Sequence, residues 1–164
     1  MEEHIRALGI PATILRPAVF MEDFTSPARF FQNGSLNVPW HDDLVMPLIA
    51  IDDIGAFAAL AFGNPDAYLG RAIAIAGDRL TAPQITEALS AAAGRPVPHT
   101  QIPLDILWEH HPEVAKVYTW ANSTFYASDP APLRQAHPGV MDFRTWLSRS
   151  GKARLAARLD AAAG

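Results

Sequence analysis

Two clusters of ionisable residues and one set of aromatic residues have the chemical types found at functional sites. Asp52 and Asp53 are adjacent carboxylates, the groups used in general acid–base catalysis. They stand just before a helical pattern, where capping of free backbone N–H groups is the expected role. The run Glu109-His110-His111-Pro112-Glu113 contains metal-ligating side chains. Adjacent helical residues point about 100° apart, so these histidines do not naturally share an ion. A solvated helix face is expected there, and no metal site. Trp40, Trp108, Trp120, Phe125 and Tyr126 could wall a pocket for a flat molecule such as a quinone. Trp108 also shares a helical stripe with Leu104, Leu107 and Ala115, a spacing that favours core packing. Lys152, Arg154 and Arg158 form a basic stripe, expected to be a surface face that interacts with Asp and Glu.

The elements that must hold these groups follow from periodicity. Ile5 and Leu8 before Gly9 read as the last turns of a helix closed by a glycine, one expected to have lost its beginning. The run PATILRPAVF predicts a strand at 12–15 ending at Arg16-Pro17, because proline gives the ladder no donor. Its unbroken apolar character suggests burial on both faces, as in a parallel sheet. Residues 22–33 predict an irregular helix limited by Pro27. SLNVPW and LVMPLIAI flank His41-Asp42-Asp43 and suggest a pair of strands. Ile54, Phe57, Ala58, Ala61 and Phe62 fall on one helical face, expected to be buried.

Further along, AIAIA predicts a strand stopped at Gly77. Thr81 and Gln84 match a capping box, Ile85, Ala88, Leu89 and Ala92 form the apolar stripe, and Gly94 sits at the C-cap. VPHTQI predicts a strand leading into the longest helix, roughly 103–122. Residues 130–141 read as proline-rich and irregular, and Asp142 caps a final helix containing Phe143, Trp146 and Leu147.

Composition sets outer limits. The 164 residues are 49% hydrophobic and 18% charged, one globular domain's worth of chain. A net charge of −4 gives no general attraction to nucleic acid or anionic lipid, so neither is an expected partner. Without cysteine there are no disulfides or thiolate sites, which fits a cytoplasmic location. No apolar run reaches the roughly 18 residues of a membrane helix, and Glu2 and Glu3 have the wrong sign for a secretory signal. Strands alternating with helices argue an α/β fold. A strand buried on both faces needs two neighbours, and few candidates exist. The domain is therefore expected to be incomplete, or completed by a homodimer or a partner chain.

The order of several phrases, ATILRPAVFMEDF, MPLIAIDDIGAFAALAF, GRAIAIAGDRLTAPQITEALSAAAGRPV and DFRTWL, resembles the NmrA-like family of atypical short-chain dehydrogenase/reductases. The similarity runs over about residues 2–148. It implies a partial Rossmann-type, NAD(P)-binding fold: the C-terminal half with a small substrate-binding lobe. Within a single fragment, 1–164, the strand and crevice segment would be about 10–33, the substrate lobe about 34–150 and a helical tail 151–164. Some members reduce quinones or related molecules, while others sense dinucleotides and regulate partner proteins. Pro17, Ala18, Val19 and Phe20 match the stretch beside the nicotinamide ring, a cofactor contact only when the rest of the site is supplied. The bland alternative is an ordinary connection with Phe20 in the core. Met21 and Phe24, with Trp40, Trp108, Phe125 and Tyr126, would line the substrate side, again with core packing as the alternative.

This sequence also departs from the resemblance. A Rossmann phosphate cradle needs closely spaced glycines, and here no two of glycines 9, 34, 55, 63, 70, 77, 94, 139, 151 and 164 lie within three positions. The superfamily's Tyr-x-x-x-Lys pair is absent, since Ala72, Asn122 and Pro130 follow Tyr68, Tyr118 and Tyr126 at that spacing. No catalytic residue is assigned. The chain alone is expected to be inactive and not to bind NAD(P) tightly. A parent enzyme would pass hydride from NAD(P)H to a small apolar or quinone-like acceptor. The alternative is a non-catalytic regulatory or binding module that dimerises through an exposed sheet edge.

Overall fold

Alternating strands and helices build a mixed α/β fold with parallel pairing, as the sequence pattern predicts. The computed structural model describes residues 2–123 and 129–161. From the amino end come α1 (Glu2–Ala7), β1 (Ile14–Pro17), β2 (Val19–Phe20), a 3-10 helix (Met21–Thr25), β3 (Phe31–Gln32) and β4 (Ser35–Val38). Next are β5 (Met46–Ile49), α2 (Ile51–Gly63), α3 (Pro65–Tyr68), β6 (Ala72–Ile75), β7 (Asp78–Leu80) and α4 (Ala82–Ala93). β8 (His99–Gln101), α5 (Leu104–His110), α6 (Pro112–Ser123) and α7 (Pro130–Ala136) follow. The chain closes with α8 (Phe143–Trp146), a π-helical turn (Leu147–Gly151) and α9 (Lys152–Ala161).

Pro17 is the last residue of β1, so the strand ends where expected, although it starts at Ile14 rather than at residue 12. β1 pairs in parallel with β6, with Pro17 opposite Ile75. The N–H groups of Ile14 and Ala18 donate to the carbonyls of Arg71 and Ile75 at 2.9 and 3.1 Å. In a parallel ladder alternate residues face one neighbour, so the nitrogens of Leu15 and Pro17 point away from β6. The missing donor of Pro17 therefore costs no bond to β6. Among the described residues β1 has no second neighbour. That corrects the expected burial on both faces, for none of its four residues is buried.

Other expectations are revised by long-range packing. The 22–33 helix is only the 3-10 turn, followed by β3. The strands at 35–38 and 46–49 exist but do not pair with each other. β5 lies between β2, parallel, and β7, antiparallel, and so has no free edge, while β4 pairs with β3 and β8. Pro112 divides the expected 103–122 helix into α5 and α6. The 130–141 stretch contains a helix, α7, because the Asp129 carboxylate accepts from Ala131 N ahead of the first turn. Phe62, placed by its period on a buried face, is 88% exposed. Local chemistry does hold at α4, where Thr81 and Gln84 form the capping box and Gly94 has φ 68°.

The main core is aromatic. Phe24, Phe30, Trp40, Phe143 and Trp146 are buried together, with ring centroids 5.0–5.6 Å apart for Phe30–Trp40, Phe24–Phe30, Phe24–Phe143 and Phe143–Trp146. A return segment, residues 134–143, is stitched across the β6–β7 junction. Arg134 Nη2 donates to the Gly77 carbonyl at 2.6 Å. Met141 N donates to Asp53 Oδ2 at 2.9 Å, and Phe143 N donates to Asp78 Oδ2 at 2.9 Å. A Cβ on Gly77 would run into the Met141 carbonyl oxygen.

Asp53 is thus corrected from helix cap to buried anchor. α2 begins at Ile51 with Ala50 at its N-cap and no side-chain cap. Asp53 lies within the first turn, 4% exposed, with His137 Nε2 3.7 Å away.

Two measurements test this stitching. Gly77→Ala is expected to lower stability by about 1–3 kcal/mol, since backbone must shift to admit the methyl, as read by denaturant unfolding. Burial, against the Met141 hydrogen bond and His137, pushes the Asp53 carboxyl above its ordinary 3.8. The folded chain therefore holds this proton more tightly than the unfolded one, and the stability linked to it declines as pH rises through the raised value. Between about pH 3.5 and 5.5, below the histidine range, Asp53→Asn is expected to gain stability relative to the parent as pH rises. A constant difference between the two would contradict the assignment.

Candidate functional site

Residues 17–20 occupy the carboxyl end of a parallel strand, the place where open α/β sheets bind ligands. Ala18 joins β1 to β2, and β2 runs parallel to β5 with Phe20 opposite Ile49. Pro17 is exposed, Ala18 and Val19 are half-buried, and Val19 packs on the main core. Phe20 is 37% exposed rather than enclosed, and Ile51, just past the end of β5, also keeps exposed apolar surface. An apolar ledge therefore lies along the strand ends.

Glu22 follows directly. Its carboxylate accepts from Ile51 N, the first helical residue of α2, at 3.3 Å. It also accepts from Trp146 Nε1 at 3.0 Å. One side chain thus supplies the cap that Ala50 lacks, favourable at a helix amino end, and fixes the indole of α8. Glu22, Asp23, Ser26, Arg154 and Arg158 line a cleft of about 570 Å³ between the 3-10 helix and α9. Burial raises the Asp23 carboxyl above its ordinary value, opposed by Arg29, whose Nε is 3.8 Å from Asp23 Oδ1.

Among the described residues, the proposed aromatic pocket does not come together. Met21, Phe24 and Trp40 are fully buried in the core, where truncation of such side chains costs about 2–5 kcal/mol. Trp108 is 44% exposed on α5, and Trp120 is exposed on α6. Phe125 and Tyr126 lie outside the described residues. Tyr118 packs against Trp40 at 5.9 Å, and burial pushes its phenol up to about 12, which suits packing rather than proton transfer. His110 and His111 are exposed, and among the described residues no group of three metal-ligating side chains forms. Among the described residues, no helix is long and apolar enough to cross a membrane.

A second cleft, about 550 Å³, lies between the residues of and before β1 and those of α2 and α3. Ala12, Leu15, Ala58, Ala61, Phe62 and Leu69 are among its lining residues. Sequence reasoning did not single out Glu22 or its cleft. The signal was present only as a carboxylate immediately after the strand end.

The comparisons with known proteins fit this geometry. The model of the NmrA-like family matches residues 1–138. The nitrogen metabolite repression protein nmrA of Emericella nidulans is 30% identical over 113 residues, 63% of this chain and 32% of that protein. A (4-alkanoyl-5-oxo-2,5-dihydrofuran-3-yl)methyl phosphate reductase of Streptomyces griseus is 27% identical over 123 residues, 71% of this chain and 43% of that one. The crystal structure of NmrA, a negative transcriptional regulator, in complex with NADP aligns with a TM-score of 0.70 at 20% identity, covering 95% of this chain and 57% of its own. The chain spans less than half of these curated relatives and little more than half of that structure. With a family match over most of its length and a Rossmann-like fold shared with that regulator, the chain belongs to the NmrA-like family.

Proposed function

We propose that this chain forms the acceptor side of an NAD(P)H-dependent NmrA-like oxidoreductase, acting with a dinucleotide-holding segment supplied from outside it. The observation that carries the reading is the apolar ledge of Phe20 and Ile51 at the carboxyl end of β2 and β5. A nicotinamide and a small apolar or quinone-like acceptor need such a surface, because excluding water there protects a hydride in transit. The reductase activity of the Streptomyces relative and the NADP complex of the regulator support the cofactor class.

The residues of this chain fit the ring and not the diphosphate. No two glycines lie close enough for a phosphate cradle, so the chain by itself is inactive and binds NAD(P) poorly. Its own contribution is to position: Glu22 fixes the start of α2 beside the ledge, and Phe20 walls the acceptor.

A second reading is a regulatory module that docks or dimerises through the open edge of β1. The exposed Phe62 and the apolar cleft between β1 and α2 favour it, as does the likeness to the Emericella nitrogen metabolite repression protein.

Calorimetric titration of NADPH into the chain is expected to show no micromolar binding. A micromolar Kd, about −8 kcal/mol, would overturn the divided-site reading. Any longer reading frame that contains this chain is expected to oxidise NADPH with a quinone, and Phe20→Ser is expected to raise the KM for the quinone several-fold. NADPH binding without turnover would favour the regulator. For that second reading, light scattering is expected to show a dimer that Phe62→Glu dissociates.

A further inference from the structure

We propose that the cleft between the 3-10 helix and α9 binds a small organic oxyanion, a phosphate ester or carboxylate, anchored by Arg154 and Arg158. The two arginines are four residues apart and so share one face of α9. The adjacent Leu155 and Leu159 are buried in the main core and fix the helix. Among the described residues neither arginine has a carboxylate within ion-pair distance. Two guanidinium forks facing one cleft match the oxygens of a phosphate or carboxylate in bidentate fashion.

Two carboxylates, Glu22 and Asp23, stand on the opposite wall. Counting Arg29, whose Nε is 3.8 Å from Asp23 Oδ1, three guanidinium groups face these two carboxylates. Glu22 already accepts from Ile51 N and Trp146 Nε1, and Arg154 and Arg158 supply the charged donors for a ligand. Ser26 adds a hydroxyl, and a cleft of about 570 Å³ falls in the size range of small-molecule sites.

The cleft opens from the residues that directly follow Phe20. On the acceptor-side reading, which this inference deepens and rests on for the ligand's role, the anion is a charged tail on the reduced molecule. Anion binding itself does not depend on that reading.

The test titrates phenyl phosphate, benzoate and neutral benzyl alcohol into the chain, followed by amide shifts in NMR. Saturable binding of at least one anion is expected, with shifts at Ser26 and Ala157 and none from the alcohol. The stronger of the two anions identifies the group. Arg154→Gln with Arg158→Gln is expected to weaken binding about tenfold or more, the loss of charge-assisted hydrogen bonds. Should that variant fail to fold, affinity of the parent chain is expected to fall steeply between about 20 and 200 mM salt. Equal binding of the alcohol, salt-independent affinity, an unaffected folded variant or no saturable binding overturns the proposal. Anion binding beside an inactive longer frame would sink the reductase reading alone. Quinone reduction without anion binding would sink this site alone.

Discussion

The hydrogen bond from Met141 N to Asp53 joins residues 88 apart inside the protein, and the carboxyl-terminal helices take their position from it. A buried carboxylate is costly without partners, so its placement is not interchangeable with an ordinary cap. Around it, Gly77 leaves room for the Met141 carbonyl, Arg134 reaches the Gly77 carbonyl, and Asp78 holds Phe143 N. Three acceptors, from α2, β7 and the β6–β7 junction, thus fix the segment before α8. Hydrogen bonds to charged groups contribute about 1.5–3 kcal/mol each, enough to define one path for a return segment with little strand or helix of its own. The placement of Phe143 and Trp146 in the core, and of α9 beyond them, follows from that path.

Glu22 couples this scaffold to the strand ends. α2 lacks a local cap, and the chain supplies one from the residue pair that follows β2. The same carboxylate accepts from Trp146 Nε1, so one side chain ties the amino end of α2 to the indole of α8. A carboxylate with two donors already in place is a positioning group rather than a free base.

Elements specified by neighbouring residues were legible in the sequence. α4 is the clearest, since Thr81, Gln84 and Gly94 carry their own start and stop signals. The capping of α8 by Asp142 is of the same kind. Features that depend on distant partners were not legible. Alternation in Ser35–Val38 identified a strand, yet its partners, β3 and β8, could not be read from period alone. Asp53 sat beside a helix start and was read as its cap, whereas the true cap comes from Glu22 in another element. Phe62 has the correct spacing for a buried face, but burial requires something to pack over it. The strand end at Pro17 was legible because a proline beside an apolar run is a local signature. The cleft was not, because Glu22 and Arg158 come from opposite ends of the chain.

The open edge of β1 links the two functional readings and separates them by geometry. Its unpaired nitrogens and carbonyls, flanked by the apolar cleft on α2, suit a strand with an apolar cover. A strand added parallel to β1 would bring its own carboxyl end beside residues 17–20 and extend the ligand crevice. A second copy related by a twofold axis pairs the same strand with itself, and such pairing is antiparallel. It would bury the edge and place the wrong end of the strand beside Phe20. Dimerisation through β1 therefore protects the edge without building a dinucleotide site, and suits a regulator. A reductase instead needs a different, parallel neighbour at that position. The direction of the strand that covers β1, more than any single side chain on the ledge, decides which chemistry the surface can support.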